Sequence, residues 1–279
     1  MIIDFFTFIG PNSEAYAEYL KYTCEIFSSG NHEINWKCVE SVGASRRTKG
    51  FKTVAVTGNA GHNSLSHGVA LNEALNHVES DYVVFVDADM AIVHKNWDDI
   101  IVNELNNVDF FGVSYNDKIK YPNFPTVYLF AFKGSILANS NISLDFRPSV
   151  STGIDKPNRH IITKEESKYF GMKPGSVLKC DTGWKLPLLI RQAGYTSKSM
   201  PMVMMGAKNC QLPFEDKKHR DLCMKKPEHM YEWHYPDTGK VFATHKQASR
   251  TQPIDGVWGN AWKRRIDLYI KGELKNAKI

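Results

Sequence analysis

The chain has 279 residues, 42% of them hydrophobic and 23% charged, with a formal net charge of +5 at pH 7. That length supports one large domain with a substantial core, and the composition is that of an ordinary globular protein, not a disordered or fibrous one. No apolar run reaches the roughly 18–20 residues that span a bilayer, and five cysteines without a C-x-x-C spacing exclude a disulfide framework or zinc knuckle and favour reduced thiols in the cytoplasm.

Residues 2–9 are apolar without a helical period, which predicts a buried strand; Asp4 within it and the lack of a basic leader set it apart from a signal peptide. Gly10-Pro11-Asn12-Ser13 is a turn, and residues 14–28 place Ala15, Tyr19, Tyr22 and Ile26 at helical steps. Strands are expected at 35–42 and 51–57, then a break at Gly58-Asn59-Ala60-Gly61 and a helix over 63–79. Residues 82–86, Tyr-Val-Val-Phe-Val, are a continuous apolar run suited to a central strand buried on both faces. This order predicts an α/β protein with a doubly wound, mostly parallel sheet in the first ~115 residues. Beyond it, strands are expected at 126–133, 199–204 and 240–244, and helices at 184–193 and 261–272. The segments 139–180 and 206–238 read as long loops that serve binding.

Asp87 and Asp89 follow the central strand directly. Open α/β sheets bind ligands at the carboxyl ends of their strands, and side chains two apart on an extended segment point the same way. Both carboxylates can therefore meet one divalent cation, which takes hard oxygen ligands and shares them with a diphosphate. The alternative for a bare Asp-x-Asp is a pair of surface turn acids.

Residues 59–89, ending in Tyr-Val-Val-Phe-Val-Asp-Ala-Asp, resemble the donor-site half of GT-A fold glycosyltransferases, especially the family 2-like group. The resemblance implies a GT-A-like (Rossmann-like) single domain over 1–279, with a nucleotide-sugar half (1–115) and an irregular acceptor half (116–279). It implies that Asp87 contacts the ribose or the metal and Asp89 the metal and diphosphate, with His67-Gly68 and Asn72 near the donor. Glu40 stands where relatives carry acids that read base and ribose. Asp181, followed by Arg191 and Gly194-Tyr195, is similar to the catalytic carboxylate of the group, placed on a segment that opens a helix; the other reading is a helix cap. His245, after an apolar run, resembles the late metal ligand, and Lys246, Ser249 and Arg250 lie close enough in sequence to touch a diphosphate. Trp184, Trp258 and Trp262 are candidate platforms or core residues.

The implied reaction is transfer of a sugar from a nucleoside diphosphate donor, UDP favoured, to an acceptor hydroxyl, inverting, with Mn²⁺ or Mg²⁺ as cofactor. The acceptor class is a glycan, a protein or a modified DNA base. Basic clusters at Arg46-Arg47, Lys217–Arg220, Lys225-Lys226 and Lys263–Arg265 suit phosphates or simply solvent. A phosphatase of the Asp-x-Asp-x-Thr type is excluded by Ala91, and a nucleotidyltransferase by the absence of a Gly-rich loop after the first strand. A non-catalytic nucleotide-sugar or glycan binder is the remaining alternative.

Overall fold

The computed structural model of the protein describes residues 1–44, 47–58, 63–115, 121, 123–138, 142–151, 154–204, 230–246 and 253–272. The first elements follow the sequence pattern: β1 (Ile2–Ile9), α1 (Glu14–Phe27), β2 (Glu33–Ser41), β3 (Lys52–Thr57), α2 (Asn63–Leu75) and β4 (Tyr82–Asp87). Three elements beyond β4 are additions to the pattern: β5 (Met90–Ile92), α3 (Trp97–Asn107) and β6 (Phe110–Val113). Helix α3 starts after Asn96, held in the left-handed region at φ 57°. Asp98 and Asp99 lie in its first turn, where carboxylates oppose the helix dipole, and Trp97, Ile101, Val102 and Leu105 face inward.

The next strand is β7 (Leu129–Lys133). The segment expected as a loop over 139–180 carries short elements: β8 (Val150–Ser151), β9 (Ile154–Pro157), β10 (Arg159–Ile161), α4 (Ser167–Phe170) and β11 (Val177–Lys179). Helix α5 (Leu186–Gln192) follows. The single strand expected at 199–204 is two, β12 (Ser197–Met200) and β13 (Met202–Met204), because Pro201 interrupts the ladder. The end of the second expected loop is β14 (Met230–Tyr235), followed by β15 (Lys240–Lys246) and α6 (Val257–Ile270).

Seven strands form the main sheet in the order β12-β6-β7-β4-β1-β2-β3. All run parallel except β7, which pairs antiparallel with β4 and β6. Helices cover both faces, as alternation along β4 requires. Val84 and Val86 enter one core with Phe5, Trp97 and Ile101, whereas Val83 and Phe85 enter the other with Phe6, Leu71 and Ile190. The α/β architecture read from the sequence is the one found. A second sheet, β13-β14-β15-β5, is antiparallel throughout, and α6 is clamped to it by the Arg265–Glu232 ion pair and by Tyr269 Oη donating to Glu232 (2.7 Å). Among the described residues no helix is long and apolar enough to cross a membrane.

Candidate functional site

The chain goes from β1 to β2 on one side and, through α2, to β4 on the other. The carboxyl ends of β1 and β4 therefore flank the point where strand order reverses, the usual ligand crevice of an open α/β sheet. Asp87 sits there, level with Phe8 of β1, and its backbone N–H donates to Tyr128 O at 2.9 Å. The expected reason for Asp87 and Asp89 to converge, side chains two apart on an extended strand, is not what the backbone does. Ala88 and Asp89 form a turn, and β5 leaves the main sheet for the second one.

That departure brings in the third group. In the β5–β15 ladder His245 is opposite Met90, and Lys246 N–H donates to Asp89 O (2.9 Å). His245 Nε2 lies 2.9 Å from Asp89 Oδ1, and ligand atoms of Asp87, Asp89 and His245 all fall within 4.8 Å of one another. The imidazole is walled by Tyr128, Tyr231 and Trp233, with centroids at 4.7, 6.1 and 6.2 Å. Trp233 is itself fixed by donating Nε1–H to Ser114 O (2.8 Å).

Do these residues suit a divalent ion? Asp87 Oδ1 is buried against His67 Nε2 (3.1 Å), and His245 Nδ1 is buried and lacks a hydrogen-bond partner among the described residues. Buried polar atoms rarely stay so. Two carboxylates and one imidazole are a donor set that Mn²⁺ accepts readily and Mg²⁺ accepts through its oxygens. The site residues fit a metal. Lys246 is fully buried beside it. Burial pushes its ammonium down to about 8, and Asp89 opposes the shift. Burial raises the Tyr16 phenol, with Asp89 and Asp255 adding to the rise, so this neighbour stays neutral.

His67, on α2, reaches Asp87 Oδ1 with Nε2 at 3.1 Å and lays its ring against Phe8. Gly68 lets α2 come close to the 146–147 backbone; a Cβ there would be 2.7 Å from Phe146 O. Asn72 is used differently from the sequence expectation. Its Nδ2 donates to Asp145 and its Oδ1 accepts from Phe146 N–H, so it braces the 145–146 segment. Glu40 is at the carboxyl edge of β2, but its Oε1 accepts from Thr53 Oγ1 (2.9 Å) and faces Cys38, on the side of the sheet away from Asp87.

Asp181 lies on a turn after β11, not at the start of a helix: α5 begins at Leu186 with Lys185 as its cap, so Asp181 neither opens nor caps that helix. Its carboxylate meets Lys179 Nζ (2.9 Å) and accepts from Thr182 N–H (2.9 Å). Gly183, at φ +72°, makes the turn possible. Thr182 Oγ1 donates to Ser64 O, which ties this turn to the first turn of α2 and so to the helix of His67. Between the two acidic groups runs a row of tyrosines absent from the sequence expectation. Tyr121 donates to Gly183 O (3.3 Å) and packs on Tyr115, which packs on Tyr128 at 5.0 Å. Burial raises the Tyr115 phenol, and Tyr121, Asp181 and Asp87 add to the rise, so Tyr115 lies within electrostatic reach of both carboxylates.

Other expectations resolve as structure. Arg191 donates to Asn123 O and Tyr169 O. Trp262 is fully buried against Tyr16 and Tyr19, and Trp184 packs on His160. Lys263 and Arg265 of one basic cluster pair with Asp255 and Glu232. Arg250, Ser249, Arg46 and the basic residues at 217–226 lie outside the described residues, as does the side chain of Trp258.

No family model and no curated protein matches the chain. Among solved structures it is similar to S. aureus TarS 1-349 in complex with UDP-GlcNAc, with 14% identity over 56% of this chain and 51% of that one, at a TM-score of 0.36. It is similar to the mannosyltransferase PcManGT from Pyrobaculum calidifontis in complex with GDP-Man and Mn²⁺, with 16% identity over 71% and 54%, at 0.40. It is also similar to the galactosyltransferase LgtC in complex with donor and acceptor sugar analogs, with 11% identity over 49% and 60%, at 0.35. The chain thus spans between half and three-fifths of the length of these structures.

Proposed function

We propose that the chain is a metal-dependent glycosyltransferase of GT-A type, moving a sugar from a nucleoside diphosphate donor, UDP favoured, to an acceptor hydroxyl. The observation that carries this reading is the convergence of Asp87, Asp89 and His245 at the strand-order reversal, with His245 Nδ1 buried and without a hydrogen-bond partner among the described residues. Asp87, Asp89 and His245 hold the ion. A bound Mn²⁺ or Mg²⁺ supplies positive charge against the departing diphosphate. Lys246 adds a buried amine within electrostatic reach of Asp89.

Asp181 is the base. It takes the proton of the acceptor hydroxyl as that oxygen attacks the anomeric carbon. The bond from that carbon to the diphosphate oxygen breaks, the electron pair leaves with the nucleoside diphosphate, and the configuration inverts. The tyrosine row from 121 through 115 to 128 floors the space between base and leaving group. Glycan, protein and modified DNA base remain the acceptor classes.

The test separates an enzyme from a binder. With a panel of UDP- and GDP-sugars, Mn²⁺ and glycan, protein and modified-DNA acceptors, Asp181→Asn loses at least ~10²-fold in turnover, the scale of a missing general base, and keeps wild-type nucleotide affinity. Turnover at the wild-type level in Asp181→Asn refutes the assignment of the base. A wild type that binds nucleotide and turns over none of the donors points to the non-catalytic alternative.

A further inference from the structure

The three acidic-site ligands come from two sheets. Asp87 ends β4 of the main sheet, Asp89 lies in the turn between β4 and β5, and His245 is on β15 of the second sheet. A donor set divided in this way keeps its spacing only if the ends of β4 and β15 are fixed against each other. One tie is the hydrogen bond from Lys246 N–H to Asp89 O (2.9 Å). A second runs through Tyr128, the half-buried residue just before β7.

The backbone of Tyr128 belongs to the main sheet. Val86 is opposite Leu129 in the β4–β7 ladder, and one residue further on Asp87 N–H donates to Tyr128 O (2.9 Å). Tyr128 N–H in turn donates to Thr126 Oγ1 (3.4 Å). The ring of Tyr128 belongs to the second sheet. Its centroid is 4.7 Å from that of the His245 imidazole, with the planes 38° apart, and 6.0 Å from that of Trp233. Tyr231 and Trp233 also flank the imidazole, but at 6.1 and 6.2 Å and from β14, the strand already paired with β15. Those two rings hold His245 within its own sheet. Tyr128 refers it to the strand that carries Asp87.

We infer that Tyr128 is a positioning residue for the metal centre: its carbonyl fixes Asp87 and its ring fixes the plane of the His245 imidazole, so that ligands from two sheets meet at one ion. This inference rests on the reading of Asp87, Asp89 and His245 as a metal site. An imidazole donates a lone pair that lies in the ring plane, so a ring free to rock loses part of its bond to the ion. Neighbours that orient a ligand are worth about ten- to a hundredfold in metal affinity. Leu or Met at 128 keeps the hydrogen bond from Asp87, which is backbone to backbone, and removes the aromatic face. Phe keeps both.

Electron paramagnetic resonance of Mn²⁺ tests it on the full chain, with the metal alone and with UDP or GDP added. Titration gives the affinity, and pulsed spectra at saturating Mn²⁺ give the ¹⁴N coupling from a ligating imidazole. Tyr128→Leu is expected to bind Mn²⁺ at least about tenfold more weakly and to show a diminished ¹⁴N coupling, whereas Tyr128→Phe restores both to within about twofold of wild type. A merely structural role for Tyr128 lowers the melting temperature and leaves the coupling of the folded, Mn²⁺-saturated protein as it is. Tyr128→Met serves in the same comparison if Tyr128→Leu does not fold. Wild-type affinity in the aliphatic variant overturns the inference. So does weakened affinity with the full ¹⁴N coupling, or an equal loss in Tyr128→Phe. A folded wild type that binds no Mn²⁺ with or without nucleotide sinks the metal-site reading itself, and the inference with it.

Discussion

Replacing Asp4 by Asn tests how the far end of the sheet sets the position of Asp87. Asp4 is fully buried on β1 and accepts from Glu79 N–H (2.7 Å), Ser80 N–H (3.1 Å) and Asn35 Nδ2 (3.0 Å), so it fastens the segment that leads into β4. Lys37 Nζ lies 3.1 Å from it and also reaches Glu79 and His77 O. Asn removes the charge and leaves a buried ammonium without its buried partner, which costs ~3–5 kcal/mol. Lys37→Met in the Asn background removes that stranded charge and recovers part of the loss. Burial raises the Asp4 carboxyl, but hydrogen bonds from Glu79 N–H, Asn35, Lys37 and Ser80 together outweigh it and leave it lowered. A lowered folded-state pKa contributes stability above the unfolded value, about 3.9, and loses it as pH falls through the folded value. The wild type therefore loses this component below about pH 4, and Asp4→Asn does not have it to lose. Urea unfolding at pH 3 to 7 measures both. A cost under ~1 kcal/mol for Asp4→Asn, or a double variant less stable than Asp4→Asn alone, refutes the reasoning.

Two further outcomes follow from side-chain roles. Asn72→Ala releases the 145–146 segment and costs ~1–3 kcal/mol by chemical denaturation, with nucleotide affinity by calorimetry unchanged; a large affinity loss at unchanged stability would return Asn72 to the donor site. Burial pushes the Cys38 and Cys180 thiols up to about 11 and the Cys24 thiol well above its usual value. Iodoacetamide at pH 7.5 should leave all three unmodified in the native protein by peptide mapping; rapid native labelling of any one contradicts the burial described.

The part of the site legible in sequence is the part built from one continuous segment. The run at 82–86 is buried on both faces, and that double burial is what a continuous apolar string records, so the position of Asp87 and Asp89 at its end is legible in sequence. The partner of Asp89 is different in kind. His245 is 156 residues away and arrives through a ladder on β5, a three-residue strand too short to leave a periodic trace. In sequence only the resemblance points to it. Asn72 and Glu40 look like site residues in sequence because nothing local shows that Phe146 and Thr53 occupy their polar atoms. Tyr115 and Tyr128 carry no local sign of a site for the same reason, since tyrosines apart in sequence become a row only when β6 and β7 pair. Helix α5 is legible from its apolar spacing, but it starts at Leu186 and not at 184 because the turn through Gly183 precedes it.

Calorimetric titration of UDP and GDP, with and without Mn²⁺, into the wild type and Asp89→Ala bears most directly on the central claim. The account predicts that one nucleotide binds, that its binding requires Mn²⁺, and that Asp89→Ala abolishes it without lowering the melting temperature by more than a few degrees. Binding of neither nucleotide to the folded wild type under either metal condition, or metal-independent binding that Asp89→Ala leaves intact, would contradict it.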